Sequence, residues 1–528
     1  MSHFRKKLME YGRTHAKLYA AVFLLYTAGV TALIQADYYY KDDLRRTLNG
    51  NLWWDRQSRY LSNLIAGLLS MDTHIGNLSP MTQLLGAAVM AAGAVMLIDL
   101  FYRGRRRSVS LPFAVIPFAL SPYFLECFSF QFDIPFMAVS VVVSILPFLF
   151  AEDYLKNGKW KRFTAVSFAG VLMMLLTYQA SSGIYPMAAA FVFLKWWNGG
   201  EGTLRNRVRF ILLSAGCYLA ALVFYMTFLL HPYKNYKSIE MLPVRELLPG
   251  TVLNYLRFYR RIWYDFKPWW TGLFLAGIAV FWAGCVLHST QKKWLSFIVT
   301  GGVLAFASAM AYGIYLGMKE PAFNPRMMYG FGVLLTILFL HTVSSGQRAP
   351  ERTKTEEDAC SQDGDAATGR GNAGVLQVVG KAVCILLGWC FFSFSFLYGN
   401  ALAEQKRYQE LSMSRVISAL DTVEVMKSDA VKTVQLEGDF GISPAVRDME
   451  QGYSMLNRLI PSSKASYQWT RYYFFGYLGL SNVKPAKVKE DFASLDLPVL
   501  SDTAYCTIRG DESRILISIR EQEIEDLM

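Results

Sequence analysis

Charge is what this chain has little of, and the places that lack it decide its class. Only 18% of its 528 residues are Asp, Glu, Lys or Arg, against about 25% in soluble domains. The shortage is concentrated in repeated apolar runs of about twenty residues, each long enough to cross a bilayer as a helix. With 53% hydrophobic residues overall, a soluble globule is excluded and a polytopic membrane protein is expected. Cysteine is the second shortage. The seven present include no C-x-x-C pair and no His/Cys cluster, which excludes a structural zinc site and a disulfide framework. Cys127, Cys217, Cys285, Cys384 and Cys390 lie in or beside apolar runs, where Cys acts as a small hydrophobe. Cys360 falls in a hydrophilic stretch and Cys506 in the tail. Ionisable groups are also missing from most span interiors, and Asp99 sits close to a span end. A transporter places such groups near mid-membrane on several spans, so transport is disfavoured.

What charge there is follows a rule. The net +12 lies largely in short clusters between spans, as the positive-inside rule requires, so no nucleic-acid partner is expected. Arg5, Lys6, Lys7, Arg13 and Lys17 precede the first run, Leu18–Gln35, and place the N-terminus in the cytoplasm. That run has no small-x-small cleavage site and is expected to stay as an anchor. Further spans begin near Met81, Val109, Ile134, Phe163, Ile184, Phe210, Trp269, Leu295, Met327 and Val375, about eleven in all. Basic clusters at Arg103–Arg107, Lys156–Arg162, Arg205–Arg209 and Lys292-Lys293 mark inside turns.

The expected core is residues 1–343, with outside loops at 37–79, 121–133, 231–268 and 317–326. Residues 344–374, rich in small and charged residues, are expected as a disordered cytoplasmic linker, followed by a last span at 375–399. The tail, 400–528, is soluble in composition and falls outside. Helices over Ala401–Met426 and about Met449–Leu459, with strands Val431–Glu437 and Arg514–Ile519, predict a small α/β unit. The fold class is therefore mainly α: a membrane helix bundle with a small C-terminal α/β domain.

The first polar stretch after span one, Asp37–Arg46, holds two adjacent carboxylates, Asp42 and Asp43. One of them caps a helix, or one serves as a general base at the membrane surface. Arg45 and Arg46 can pair with those carboxylates or with an anion. Trp53 and Trp54 suit the headgroup zone, and Tyr60–Leu69 has the three- and four-residue apolar spacing of an amphipathic surface helix. Arg326, Lys319, Arg257, Arg260, Arg261 and Lys234 are basic outside groups, suited to a phosphate or to lipid headgroups. Glu126, Asp133, Tyr178 and Gln179 are polar groups at outside span ends, free to bond a ligand or one another.

Several of these pieces stand in a shared order: Tyr40-Lys41-Asp42-Asp43, Gly50 with Trp53-Trp54, and Ser79-Pro80 with Gln83. Ser121–Glu126, Phe130–Asp133, Tyr178-Gln179, Asn324-Pro325-Arg326 and Gly452-Tyr453 through Leu459-Ile460-Pro461 follow. This order resembles the GtrII family of O-antigen glucosyltransferases over nearly the whole chain. The resemblance implies a GT-C type membrane glycosyltransferase of the bacterial inner membrane. Such an enzyme passes a sugar, here expected to be glucose, from a polyprenyl-phosphate donor to lipopolysaccharide O-antigen or a related surface polysaccharide on the periplasmic side. The same resemblance makes the acidic pair the expected catalytic site of an inverting transfer. On a helix the two side chains diverge by about 100°, so one is expected to face the cavity, with Asp43 preferred and Asp42 in support. Arg326, Arg45, Arg46, Lys319, Arg260 and Arg261 are the donor-phosphate candidates, and Glu126, Asp133, Tyr178, Gln179 and Asn324 the sugar or acceptor candidates. No cofactor is expected, a divalent metal stays open, and membrane lipids are the further partner. The rival readings are a GT-C transferase with a lipid or protein acceptor, and a lipid-linked sugar flippase.

Overall fold

Backbone in hydrocarbon must satisfy every N–H and C=O internally, so the apolar runs of this chain have to become helices. In the computed structural model a helix stands at each of the eleven expected span positions. The structure describes residues 2–102, 108–231, 240–344, 366–479, 482–487 and 490–520. The Arg103–Arg107 cluster, Lys234, Lys237 and residues 345–365 of the expected linker, Cys360 among them, lie outside the described residues. Seven described helices are long and apolar enough to cross a membrane: Gly12–Ala36, Met81–Phe101, Ile134–Asn157, Leu204–Leu229, Pro268–Leu287, Lys293–Met310 and Gly374–Asp421. An eighth is a broken pair, Leu111–Leu120 and Pro122–Ser129, bent by 54°. The other three, Trp160–Thr177, Ile184–Asn198 and Gly330–Ser344, fall short in length or apolarity. The first of them opens with Lys161 and Arg162.

Three expected loops or joints take a different form. The stretch 121–133, expected as an outside loop, begins with the buried helix Pro122–Ser129. Ser121 caps it, its hydroxyl accepting from the Phe124 N–H at 3.4 Å, and Pro122 opens its first turn. Tyr123, Phe124, Leu125, Cys127 and Phe128 then leave no polar face to put in water, so the helix stays inside. The loop 231–268 contains the helix Leu247–Asp265, whose buried residues Asn254, Phe258, Ile262 and Asp265 recur at helical spacing on one face. The last span and the first tail helix, expected separately, form one continuous helix, Ala366–Asp421. It packs along the first span. Gly399 makes that crossing possible, because a Cβ there would lie 2.5 Å from the backbone of Ala32 and Leu33.

The tail beyond that helix is a five-stranded sheet: β1 Lys432–Glu437, β2 Val483–Pro485, β3 Val499–Asp502, β4 Cys506–Gly510 and β5 Arg514–Ile519, in the order β2-β1-β5-β4-β3. β1 pairs parallel with β2 and β5, while β3, β4 and β5 pair antiparallel. Three short helices, Pro444–Gly452, Leu456–Leu459 and Gln468–Leu478, accompany it. One apolar core runs through the bundle, and a second fills the tail unit. The second core includes Leu44, from the stretch after the first span, packed with Val416, Phe440 and Phe474. The Asp42-Asp43 segment is thus built into the tail unit.

Candidate active site

The chain leaves the first span in a strained conformation. All five non-glycine residues with left-handed backbone among the described residues fall in one short region: Asp37, Lys41, Trp53, Ser58 and Met71. Each such residue costs on the order of 1 kcal/mol or more and persists only where its surroundings hold it, a condition concentrated at functional sites. What holds this segment is a set of long-range bonds. Glu126, fully buried, accepts from the Lys41 ammonium at 2.6 Å and the Tyr40 hydroxyl at 3.0 Å through Oε1. Its Oε2 accepts from the Arg326 backbone N–H at 2.6 Å. Asp133 accepts from the Trp54 indole N–H. The Tyr178 hydroxyl donates to the Arg326 carbonyl at 3.3 Å. These expected sugar-binding groups therefore tie the stretch after the first span to the loop around Arg326. Asn324 is exposed on that loop.

The two aspartates part company. Asp43 is fully buried, and its Oδ2 accepts the backbone N–H groups of Tyr40 and Gln131, both at 3.1 Å. Among the described residues its Oδ1 has no hydrogen-bond partner. Burial pushes the Asp43 carboxyl well above its ordinary value; the two amides pull it down and the Asp133 charge pushes it further up. Asp42, one residue earlier, is exposed and lines a cavity of about 250 Å³ with Arg45, Arg46, Asn51, Trp53 and Arg56. Gln57 and Gln468 complete the wall. Two guanidinium groups approach the Trp53 ring, Arg56 at 3.9 Å and Arg45 at 4.8 Å from its centroid. Arg46 lies 3.8 Å from the Trp54 ring and donates to the Asn51 and Leu52 carbonyls at 3.2 and 2.6 Å.

A second cavity, of about 220 Å³, shares Arg56 and Gln57 with the first. Its remaining wall is mostly apolar: Leu175, Leu222, Met226, Leu230, Ile314 and Met327 are among its residues, with Arg59 and Gln179 at the polar end. Gln179 accepts from the Arg59 guanidinium at 2.8 Å, and Arg59 also stacks 4.6 Å from the Tyr178 ring. Arg326 sits 4.5 Å from the Phe130 ring and interacts electrostatically with Glu126, Asp42 and Asp133.

The other basic candidates lie elsewhere. Lys319 pairs with Glu240 at 3.4 Å on the surface. Arg257, Arg260 and Arg261 are on the exposed face of Leu247–Asp265, where Arg261 pairs with Asp265 at 3.2 Å. None of these four lines either cavity. The cavity residues that sequence reasoning missed are Asn51, Arg56, Gln57, Arg59 and Gln468. A signal existed for Arg56 and Arg59, which flank Gln57 in a basic run beside Trp53-Trp54.

Comparison with known proteins adds a family. The glucosyl transferase GtrII family matches residues 31–337, more than half of the chain. A protein of Salmonella phage P22, described as an uncharacterized 55.3 kDa protein in the gtrB 5' region, is 24% identical over 257 residues. That match covers 47% of this chain and 50% of the phage protein, so the chain spans about half the length of the curated relative it matches. No solved structure matches. The Asp42-Asp43 stretch, the bent helix with Glu126 and the Arg326 loop all lie within the matched residues, and the chain belongs to the glucosyl transferase GtrII family.

Proposed function

We propose that this chain is a membrane glucosyltransferase that takes glucose from a polyprenyl-phosphate donor and adds it to O-antigen or a related surface polysaccharide. The observation that carries the reading is a pair of cavities with two wall residues in common. A polar chamber holding Asp42 and three arginines shares Arg56 and Gln57 with an apolar slot, which suits a donor with a charged phosphate and a hydrocarbon tail. Asp42, exposed to the chamber, is the general base, and Asp43 is the buried residue that shapes the loop. Asp42 takes the proton from an acceptor hydroxyl as that oxygen attacks the anomeric carbon. The anomeric C–O bond to phosphate breaks, its electron pair stays on the lipid phosphate, and the new glycosidic bond forms with inversion. Arg56, shared by the two cavities, and Arg59, at the polar end of the second, meet the charge of the leaving phosphate, with Arg45 and Arg46 in the chamber wall.

The positive-inside pattern supports a cytoplasmic N-terminus, with the chamber and tail unit on the periplasmic side of a bacterial inner membrane. Two helices support an interfacial site. Tyr60–Ser70 exposes Leu64 and Leu68, and Leu247–Asp265 exposes Leu248, Leu256 and Trp263 beside Arg257 and Arg260, a composition suited to the headgroup boundary. The test supplies glucose to the purified full chain in vesicles either as polyprenyl-phosphate glucose or as a nucleotide sugar, with unmodified O-antigen polysaccharide as acceptor. Hexose added from the lipid-linked donor alone is expected. Transfer from the nucleotide sugar alone contradicts the reading.

A further inference from the structure

The chamber around Asp42 is built from two distant parts of the chain. Seven of its eight lining residues fall between Asp42 and Gln57, and the eighth is Gln468 of the tail unit. Gln468 lies beyond residues 31–337, the stretch that matches the family. Its position is fixed by packing. It begins the helix Gln468–Leu478, whose Tyr473 and Phe474 share the tail core with Leu44, one residue after Asp43. Farther along, Gly476 sits so close to Leu48 that a Cβ there would lie 2.9 Å from the leucine methyl. The helix is thereby clamped to Asp43–Asn49.

Beside Gln468 stands an aromatic pair. Tyr467 and Trp469 stack with ring centroids 4.4 Å apart and planes within 10°. The Trp469 indole N–H donates to the Ser462 carbonyl at 2.9 Å, which fixes the lower ring. Tyr467 remains 40% exposed. A stacked aromatic surface next to an amide that both donates and accepts is suited to a pyranose ring: C–H faces pack on the rings and hydroxyls bond the amide. The donor's phosphate and lipid are assigned to the Arg56–Gln57 wall, and Gln468 enters the chamber from a separate part of the chain, which suits the second substrate, the acceptor.

We infer that the tail unit supplies an acceptor-glycan subsite to the Asp42 chamber, with Gln468 as its hydrogen-bonding group and the Tyr467–Trp469 pair as its stacking platform. This rests on the glucosyltransferase reading above. The tail unit then carries acceptor specificity, separately from the bundle that holds the donor.

The experiment uses the full chain in vesicles with polyprenyl-phosphate glucose as donor and unmodified O-antigen polysaccharide as acceptor. Gln468→Ala and Tyr467→Ala are each compared with the wild type. Loss of one hydrogen bond or one stacking contact is expected to raise the acceptor KM by about threefold to tenfold. The donor KM stays unchanged. Gln468→Glu, which keeps the acceptor oxygens, recovers part of the loss. Unchanged acceptor KM in both alanine variants overturns the subsite while leaving the enzyme reading intact. So does a shift in donor KM alone. A wild-type chain that transfers no sugar overturns both.

Discussion

Replacing Asp43 by Asn and by Ala separates a loop-shaping carboxyl from a catalytic one. The side chain is buried, holds two backbone N–H groups through Oδ2, and leaves Oδ1 unpartnered. Asn keeps one oxygen for the two amides and puts an equally unpartnered NH2 where Oδ1 stood. Its cost in stability is expected to be within about 1 kcal/mol. Ala strands both N–H groups in a buried place, at about 1–3 kcal/mol each, or about 2–6 kcal/mol in sum. The sign of the pH dependence follows from the raised carboxyl. Above the ordinary aspartate value of 3.8, the folded chain holds a proton that the unfolded chain has lost. Asp43's contribution to stability is therefore complete below that value and declines as pH rises towards its folded value. Asp43→Asn should flatten that slope. Thermal unfolding of detergent-solubilised protein across pH, alongside sugar transfer at each pH, provides the assay. An Asp43→Asn variant that melts like the wild type yet loses transfer by a hundredfold or more would refute the reasoning and make Asp43 the base.

Other perturbations probe the rest of the arrangement. Arg458, on the short tail helix Leu456–Leu459, donates to the buried Asp265 carboxylate and to the Phe323 carbonyl near Arg326. Arg458→Ala should cost about 3–5 kcal/mol by weakening the compensation of a buried charge, seen as a lower melting temperature; Arg458→Met with Asp265→Leu should recover much of it. Leu222→Trp, which fills the apolar slot, should raise the donor KM with little change in acceptor KM, measured by titrating each substrate. Arg56→Ala, at the junction, should lower kcat/KM for the lipid-linked donor by about tenfold to a hundredfold, in line with a charge-assisted phosphate contact. An alkaline phosphatase fused after the tail should be active in cells; an inactive fusion at normal abundance would reverse the topology.

The sequence made legible whatever depends on local pattern. Twenty-residue apolar runs announced a helix at every expected position, and the acidic pair after the first span marked the stretch where the strained backbone gathers. Local pattern could not show that Ser121-Pro122 restarts a helix inside the bundle, because burial there depends on Lys41 and Arg326 meeting Glu126 from 85 and 200 residues away. The preference for Asp43 over Asp42 could not take in the Gln131 N–H, which bonds Asp43 from 88 residues away. Charge could not show that Lys319 pairs with Glu240, or that Arg260 and Arg261 stand on the exposed face of Leu247–Asp265. Arg56, Arg59 and Gln468 gained their places through tertiary folding, as Leu44 did by entering the core of a unit more than 350 residues away.

The central claim is that Asp42 is the base for glucosyl transfer, and one measurement bears on it most directly. Surface polysaccharide from cells expressing the wild type or Asp42→Asn, at matched protein abundance, is analysed for added hexose and its linkage. The account predicts added glucose with the wild type, and a loss of about a hundredfold or more in Asp42→Asn, the size expected when a general base is removed. Wild-type levels of modified glycan in Asp42→Asn would contradict it.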